Sequence, residues 1–254
     1  MMSQKTILKK QKYSLEKNTN KSISTAKISI IIPTLNESQN IKATLASTQI
    51  STNVEVVVVD GGSEDNTVEI VESLGVKVIT GDKNRARQMN IGAMNASGDI
   101  LLFLHADTLL PADFDIMVRE ALQDHSTVAG AFALRINAPD ISLRLVEWGV
   151  KWRSKLFKMP YGDQAIFITK EKFNQLGGFP ELAIMEDFEL IRNLNKTGKI
   201  TFILVPVITS PRRWLKKGIW QTTLINQIVI IAYFIGVSPE KIRSCYRGEK
   251  LIKH

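Results

Sequence analysis

The chain has 254 residues, of which 44% are hydrophobic and 23% charged, with one cysteine and a formal net charge of +8. This excludes collagen-like and low-complexity chains, and a chain of this length can bury a core large enough to fold without staples. The lone Cys245 excludes an internal disulfide and a cysteine-built zinc site, and suits a reducing compartment.

Residues 1–26 come first and are rich in Lys, Ser, Thr, Asn and Gln; through Lys27, seven lysines face a single acid, Glu16. The rest of the chain therefore carries only +2, which argues against a nucleic-acid partner. The tail is expected to be disordered, either as a solubiliser or as an electrostatic tether to anionic lipid. It has no apolar signal region, and no run of about 20 apolar residues occurs in the chain, so neither secretion nor a spanning helix is expected.

From Lys27 the pattern changes. Ile28–Ile32, Val54–Val59, Val76–Thr80 and Ile100–Leu104 are mainly apolar runs, each closed by a turn. Such runs fit strands covered on both faces, and so a parallel sheet. Ser38–Gln49, Glu64–Leu74 and Arg85–Ala96 have helical length, with Ser63 as an entry signal and Gly75 and Gly98 as stops. The spacing predicts β-α-β-α-β-α-β, an open α/β half whose ligands bind beyond the carboxyl ends of the strands. Further on, Thr127–Ile136, Gln164–Thr169 and Ile200–Val207 read as strands. Ile141–Trp152, Lys170–Leu176, Met185–Asn195 and Gly218–Gly236 read as helices. One domain is expected over residues 27–210, followed by a helical segment, 211–254.

The unusual polar clusters fall at strand ends or helix starts. Asp60-Gly61-Gly62-Ser63 permits a tight turn and a close backbone approach. Asp60 either binds a base or ribose there, or satisfies the helix N–H groups. Asn36 and Glu37, after Pro33-Thr34, either line a pocket floor or cap a helix. Arg85 and Arg87 sit at a positive helix end, where an anionic ligand would explain them; the alternative is a solvated turn paired with Asp82. Asp107 is the best candidate ligand for a hard divalent cation, while His105 suits either coordination or a structural hydrogen bond. Glu186-Asp187 is either dipole complementation or a general base.

In their order and spacing, Pro33–Glu37, Asp60–Thr67, Gly98-Asp99 leading into Leu104–Asp107, and Met185-Glu186-Asp187 resemble the family 2 glycosyltransferases. The resemblance covers residues 27–245. Arg85–Asn90, His105–Thr108 and Arg212-Arg213-Trp214 are similar to a subgroup of small bacterial members, some named for carotenoid acids such as diaponeurosporenoate. The resemblance implies a GT-A fold: a Rossmann-like, doubly wound, mostly parallel sheet flanked by helices, here with a C-terminal apolar helix. It implies that Thr34, Glu37 and Asp60 contact the nucleoside, with Asp60 facing the base. Pro33, Asn36, Gly61, Gly62, Asn90 and Ala106 would line the nucleotide, and Arg85 and Arg87 would lie near the diphosphate.

Asp107 corresponds to the last acid of the family's Asp-x-Asp metal motif, whose first acid is His105 here. A Mg²⁺ or Mn²⁺ ion is thus implied on Asp107, with His105 as a second ligand candidate. Asp187 matches the general base, with Glu186 beside it. Asp163 and Gln164 would border the acceptor, and Arg212, Arg213 and Trp214 would serve phosphate or acceptor from a mobile loop. The implied reaction is inverting transfer from a nucleotide sugar, a UDP-sugar, to a hydroxyl or carboxylate of a lipid or carotenoid-like acceptor.

Leu224–Val237 is apolar over 14 residues and follows Arg212, Arg213, Trp214, Lys216, Lys217 and Trp220. It is too short to span a bilayer, and suits either a membrane interface or packing on the core. The expected location is the cytoplasm or the cytoplasmic face of the membrane. A nucleotidyltransferase would need a glycine- and lysine-rich triphosphate loop after the first strand, and Pro33–Glu37 is not one. A dinucleotide oxidoreductase would need G-x-G-x-x-G, which is absent. A non-catalytic, membrane-associated nucleotide-binding scaffold is the remaining alternative.

Overall fold

The four apolar runs become strands β1 (Ile28–Thr34), β2 (Val54–Asp60), β3 (Lys77–Thr80) and β4 (Ile100–Phe103) in a computed structural model that describes residues 23–49 and 51–247. Residues 1–22 of the expected tail and 248–254 of the C-terminal segment lie outside the described residues. Residues 23–26 do not continue the tail's character, since Ala26 is buried in the core.

β1 to β4 pair in parallel in the order β3-β2-β1-β4. The sheet continues through β7 (Ile166–Thr169), β6 (Thr127–Ile136), β8 (Lys199–Thr209) and β5 (Thr108–Leu109), giving eight strands among the described residues. β7 runs antiparallel to both β4 and β6, and β5 runs antiparallel to β8. The parallel, doubly wound character therefore holds for the first half, and the second half is mixed.

The helices are α1 (Ile41–Thr48), α2 (Thr67–Ser73), α3 (Arg85–Asn95), α4 (Phe114–Gln123), α5 (Ile141–Phe157), α6 (Lys170–Gln175), α7 (Glu186–Asn195), α8 (Arg212–Lys217), α9 (Ile219–Phe234) and α10 (Pro239–Arg247). α4 escapes the sequence reading, although Phe114, Val118 and Leu122 recur on one buried face. Gln164 does not open a strand. It closes a 3₁₀ turn, Gly162–Gln164, and its side-chain oxygen accepts the Tyr161 N–H at 3.2 Å and the Ser154 hydroxyl at 3.0 Å.

The mainly apolar runs follow from a sheet covered on both faces. Ile28, Ile30 and Ile32 face Ile41, Leu45, Phe114 and Val118 of α1 and α4. Ile31, between them, faces the opposite layer with Met89 and Ala93 of α3 and Leu190 and Ile191 of α7. Strand side chains alternate, so both faces need apolar residues. Each fully buried Ile or Leu contributes about 1.5–3 kcal/mol.

Glu55 ties the starts of β1, β2 and β4 together. Its carboxylate accepts from Lys27 Nζ at 2.8 Å, Ser97 Oγ at 2.7 Å, Gly98 N at 3.2 Å, the Ser29 hydroxyl and the Ser97 N–H. Burial alone would raise its pKa, but Lys27 and the hydroxyl and amide donors outweigh it and bring the carboxyl from 4.5 down to about 2. A carboxylate whose folded pKa is depressed stabilises the fold above its unfolded value and loses that contribution as pH falls through its folded value. Glu55→Gln is therefore expected to cost about 1–3 kcal/mol at pH 7. The difference should shrink as pH falls below about 4.5. Urea unfolding at pH 7 and pH 3.5 checks this; equal stability at pH 7 would contradict it.

Candidate active site

β1 and β4 are neighbours, yet the chain leaves them toward opposite sides of the parallel block, β3 and β2 lying beyond β1. In an open α/β sheet the crevice at such a switch point is where ligands bind. Two loops frame it from β1 and β2, whose ends are in register at Thr34 and Asp60. They are laced together: Asn36 N donates to Ser63 Oγ at 2.8 Å, Glu64 N to Asn36 Oδ1 at 2.8 Å, Glu37 N to Thr67 Oγ1 at 2.8 Å, and Ser38 N to Asp65 Oδ2 at 3.1 Å. Asn36 holds a left-handed conformation, φ 56°, to make this crossing.

Asp60 is buried, and both its oxygens serve the loop. Gly62 N and Ser63 N each donate to Oδ2 at 2.8 Å, while Oδ1 takes the Ser63 hydroxyl and, at 3.3 Å, the Thr34 hydroxyl. The donors belong to the loop ahead of α2 and not to the helix itself. Gly61 is required by space: a Cβ there would sit 2.1 Å from Gln88 Nε2 and 3.0 Å from the Asp82 carbonyl.

The two arginines of α3 part company. Arg87 turns outward to Asp82 at 2.9 Å and Glu181 at 2.7 Å, which is the solvated pairing. Arg85 turns inward. Its Nε meets the buried Glu186, its Nη1 lies 3.2 Å from His105 Nε2, and its Nη2 lies 4.0 Å from Asp187 Oδ2. Desolvation opposes the Arg85 charge, but Glu186 and Asp187 overcome it and raise the pKa. Asn90 exchanges two hydrogen bonds of 2.9 Å with the Phe179 backbone.

Burial first, and then the Arg85 charge, push His105 down to about 3. The imidazole is therefore neutral at pH 7. Since arginine only donates, Nε2 must be the accepting nitrogen. The Ala106 side chain is buried and its carbonyl accepts from Thr44 Oγ1 at 2.8 Å.

Asp187, at the start of α7, has only 14% of its side chain exposed. Its Oδ2 accepts the Gly162 N–H at 2.6 Å and its Oδ1 accepts the Phe188 N–H at 2.8 Å. Gly162 carried no signal in the sequence beyond its place beside Asp163. A Cβ there would crowd Asp187 Oδ2 and His105 Nε2, both at 3.1 Å. Asp163 Oδ1 is buried without a hydrogen-bond partner, and burial, opposed by Arg153, raises its pKa.

Arg85, His105, Asp163, Asp187 and Arg213 share a cavity of about 300 Å³ that Leu182, Ile184, Val229 and Ile230 also line. That is the lower end of the size range for small-molecule sites. Trp214 and Tyr161 also line it, with the Arg153 guanidinium 3.4 Å from the Tyr161 ring centre. Tyr161 and the α9 residues were not legible in the sequence as site residues, since only the fold brings them here. Gln164 stays behind the wall, buried, donating to the Phe132 carbonyl at 3.0 Å.

Pro33 abuts a small neighbouring hollow that shares Arg85, His105 and Asp187. Glu37, Asp107 and Arg212 form a separate group: Arg212 Nη2 bonds Glu37 Oε1 and lies 3.9 Å from Asp107 Oδ2. Burial and the Glu37 charge raise the Asp107 pKa, with Arg212 opposing.

Asp107 thus fits as one oxygen ligand for a divalent cation, whose charge would offset that burden. His105 does not fit, because Arg85 faces its accepting nitrogen. Among the described residues no three His, Cys, Asp or Glu side chains cluster to hold a metal.

Comparison with known proteins bears on this arrangement. A PGL/p-HBAD biosynthesis glycosyltransferase of Mycobacterium bovis is 31% identical over 198 residues, 72% of this chain and 75% of the relative. Dolichol-phosphate mannosyltransferase of Pyrococcus furiosus is 34% identical over 41% of this chain, and 4,4'-diaponeurosporenoate glycosyltransferase of Staphylococcus haemolyticus is 38% identical over 34% of it. The chain spans only 32% and 25% of those two relatives.

Among solved structures, S. aureus TarS 1–349 in complex with UDP matches with a TM-score of 0.60 at 19% identity, over 72% of this chain and 60% of that one. The mannosyltransferase PcManGT of Pyrobaculum calidifontis, in complex with GDP-Man and Mn²⁺, matches with a TM-score of 0.56 at 21% identity, over 73% of this chain and 56% of that one. These likenesses establish the GT-A fold. The sequence profile of glycosyl transferase family 2 matches residues 29–175, and the chain belongs to that family.

Proposed function

We propose that the protein transfers a sugar from a nucleotide sugar, a UDP-sugar, to an oxygen of an acceptor with an apolar body, with inversion at the anomeric carbon. The observation that carries this reading is the shared cavity beyond the end of β4, next to the hollow that Pro33 abuts. There a restrained carboxylate, Asp187, lies beside a fixed guanidinium, Arg85, in a cavity that apolar side chains also line. Relatives named as glycosyltransferases support it.

Asp187 takes the proton from an acceptor hydroxyl, or orients a carboxylate acceptor, while the acceptor oxygen attacks from the face opposite the diphosphate. A single displacement of this kind inverts the anomeric centre. Arg85 stabilises the charge that develops on the leaving diphosphate, held ready by Glu186 and His105. Arg213 and Arg212 add positive charge around it. Glu37 and the Asp60-braced loop shape the nucleoside end, and Asp163 meets the acceptor.

When bound with the donor, a divalent cation on Asp107 would supply Lewis-acid stabilisation of the same diphosphate. PcManGT with Mn²⁺ among the fold's neighbours supports that expectation. A lipid or carotenoid-like acceptor suits the apolar lining, and places the working enzyme at the cytoplasmic face of a membrane.

Calorimetry with a panel of nucleotide sugars tests the donor site. A UDP-sugar should bind, and Mn²⁺ or Mg²⁺ should tighten it about tenfold, roughly 1.4 kcal/mol. Asp107→Ala should erase the metal effect while leaving metal-free binding. If no nucleotide sugar binds with or without metal, the reading fails.

A further inference from the structure

α5 buries one side and leaves the other bare. Leu143 is fully buried and Val146 packs with it against Trp214 and Ile219. Ile141, Leu145, Trp148, Trp152 and Leu156 are 81, 56, 62, 45 and 64% exposed. Their spacing of four, three, four and four residues is that of one helix face. A helix of a soluble domain ordinarily turns such a stripe inward; here it points to solvent.

The neighbouring helix α9 repeats the pattern. Thr222 and Val229 are buried and Ile225, Ile230 and Tyr233 pack inward. Trp220, Leu224, Ile228, Ile231 and Ile235 are 53–75% exposed, again at helical spacing. The two helices touch each other. Together they expose ten large apolar side chains, and apolar residues gathered in this way mark the place of a partner.

The charges around it name the partner. α9 carries no charged residue, and the only acid of α5, Glu147, is engaged by Arg144 at 3.1 Å and by the Ile136 N–H. Lys151, Lys155 and Lys158 are exposed on or just beyond α5, and Lys216 is exposed at the end of α8. Among the described residues none of these four pairs with an acid. Lysines flanking an apolar stripe that also carries tryptophans suit an interface between acyl chains and anionic headgroups. The exposed acids Asp140 and Glu240 stand beyond the ends of α5 and α9, off the apolar stripes themselves.

No helix among the described residues is long and apolar enough to cross a membrane. A helix of 17 residues is about 25 Å long and can lie in the interface plane.

We infer that the outward faces of α5 and α9 form one docking surface for a bilayer containing anionic lipid. The surface stands on its own geometry, so it can fail while the donor and base assignments hold, and the reverse. Its position has a consequence for access, because α9 also contributes Val229 and Ile230 to the cavity wall. An acceptor dissolved in the bilayer would reach the cavity alongside α9 without crossing water.

The test uses the full chain without substrates. Sedimentation with phosphatidylcholine vesicles is compared with vesicles containing one quarter phosphatidylglycerol, while tryptophan emission is followed. The expected result is at least tenfold stronger partition onto the anionic vesicles, with a blue shift that persists after salt has weakened purely electrostatic attachment by the N-terminal lysines. L145E/W152E and L224E/I228E should each lower the partition tenfold or more and abolish the blue shift, with circular dichroism unchanged. K151E/K155E should remove the preference for anionic vesicles.

Wild type remaining unbound to both vesicle types would overturn the inference. So would unchanged binding by both apolar variants. Sedimentation velocity gives the third outcome: a dimer that these same variants dissociate would assign the face to a second copy of the chain instead.

Discussion

Asp187→Asn is expected to lower kcat by about 10²–10⁴-fold, the range for losing a positioned general base. The substitution keeps the side chain's size. The amide oxygen can still accept the Gly162 N–H, now at 2.6 Å from Oδ2, so the turn at Gly162–Gln164 should survive. What is lost is the basic lone pair. Donor affinity should therefore stay within about twofold, a split that separates chemistry from binding. Initial rates at saturating donor, with calorimetry on the same preparation, measure both quantities. Retention of more than a tenth of the wild-type kcat would remove Asp187 from the base role. A parallel loss of donor affinity would point instead to collapse of the cavity floor. With a carboxylate acceptor already ionised at neutral pH, the rate loss should be smaller, because orientation then replaces proton removal.

Arg85→Ala should produce the second large effect, in two separable parts. Glu186 has only 4% of its side chain exposed, and Arg85 is its ion-pair partner. Removing the guanidinium leaves a buried carboxylate without a counter-charge, which costs about 3–5 kcal/mol for a fully buried pair. Arg85 has 41% of its side chain exposed, so solvent screening reduces this to about 1–3 kcal/mol. The catalytic loss, about 10²–10³-fold, is that of removing one preorganised donor aimed at developing negative charge.

Arg85→Lys separates the two. It restores a positive charge near Glu186 but cannot also span to His105 with a second donor. Most of the stability should return while most of the rate does not. His105 supplies a further readout. Its pKa lies near 3 chiefly through burial and secondly through the Arg85 charge. Loss of that charge should raise it, visible as an upward shift in the imidazole titration by NMR in Arg85→Ala. An unmoved titration would show that Arg85 does not govern the histidine's charge state.

Much of the framework was legible because it depends on local composition. Four apolar runs between helix-length segments are a short-range pattern, and β1 to β4 formed within a few residues of the expected limits. The ladder from β1 to β2 placed Thr34 beside Asp60, so the two strand-end motifs met as their positions implied. The mixed half was harder to read. β7 is four residues long and β5 two, and neither carries enough pattern to reveal which neighbour it pairs with or in which direction.

The fates of individual polar residues were the least legible. Arg85 and Arg87 look equivalent in sequence, but successive residues on a helix are turned about 100° apart, so side chains two apart point to different neighbours. Arg85 meets Glu186 and Asp187, about a hundred positions away, while Arg87 meets Asp82 and Glu181. The sequence also does not reveal that Asp60, Asn90 and Gln164 hold backbone at Gly62-Ser63, Phe179 and Phe132.

By itself the sequence determined the alternation of strands and helices, the location of the polar clusters at strand ends, and the identity of the acids and arginines available for chemistry. These follow from hydrophobic periodicity and turn chemistry, which act over a few residues. Only the tertiary structure decided which of those groups share one cavity, that His105 accepts from Arg85, and that the stripes of α5 and α9 face outward. Each of those outcomes depends on which surfaces the packed elements cover, a long-range property that no window of neighbouring residues contains.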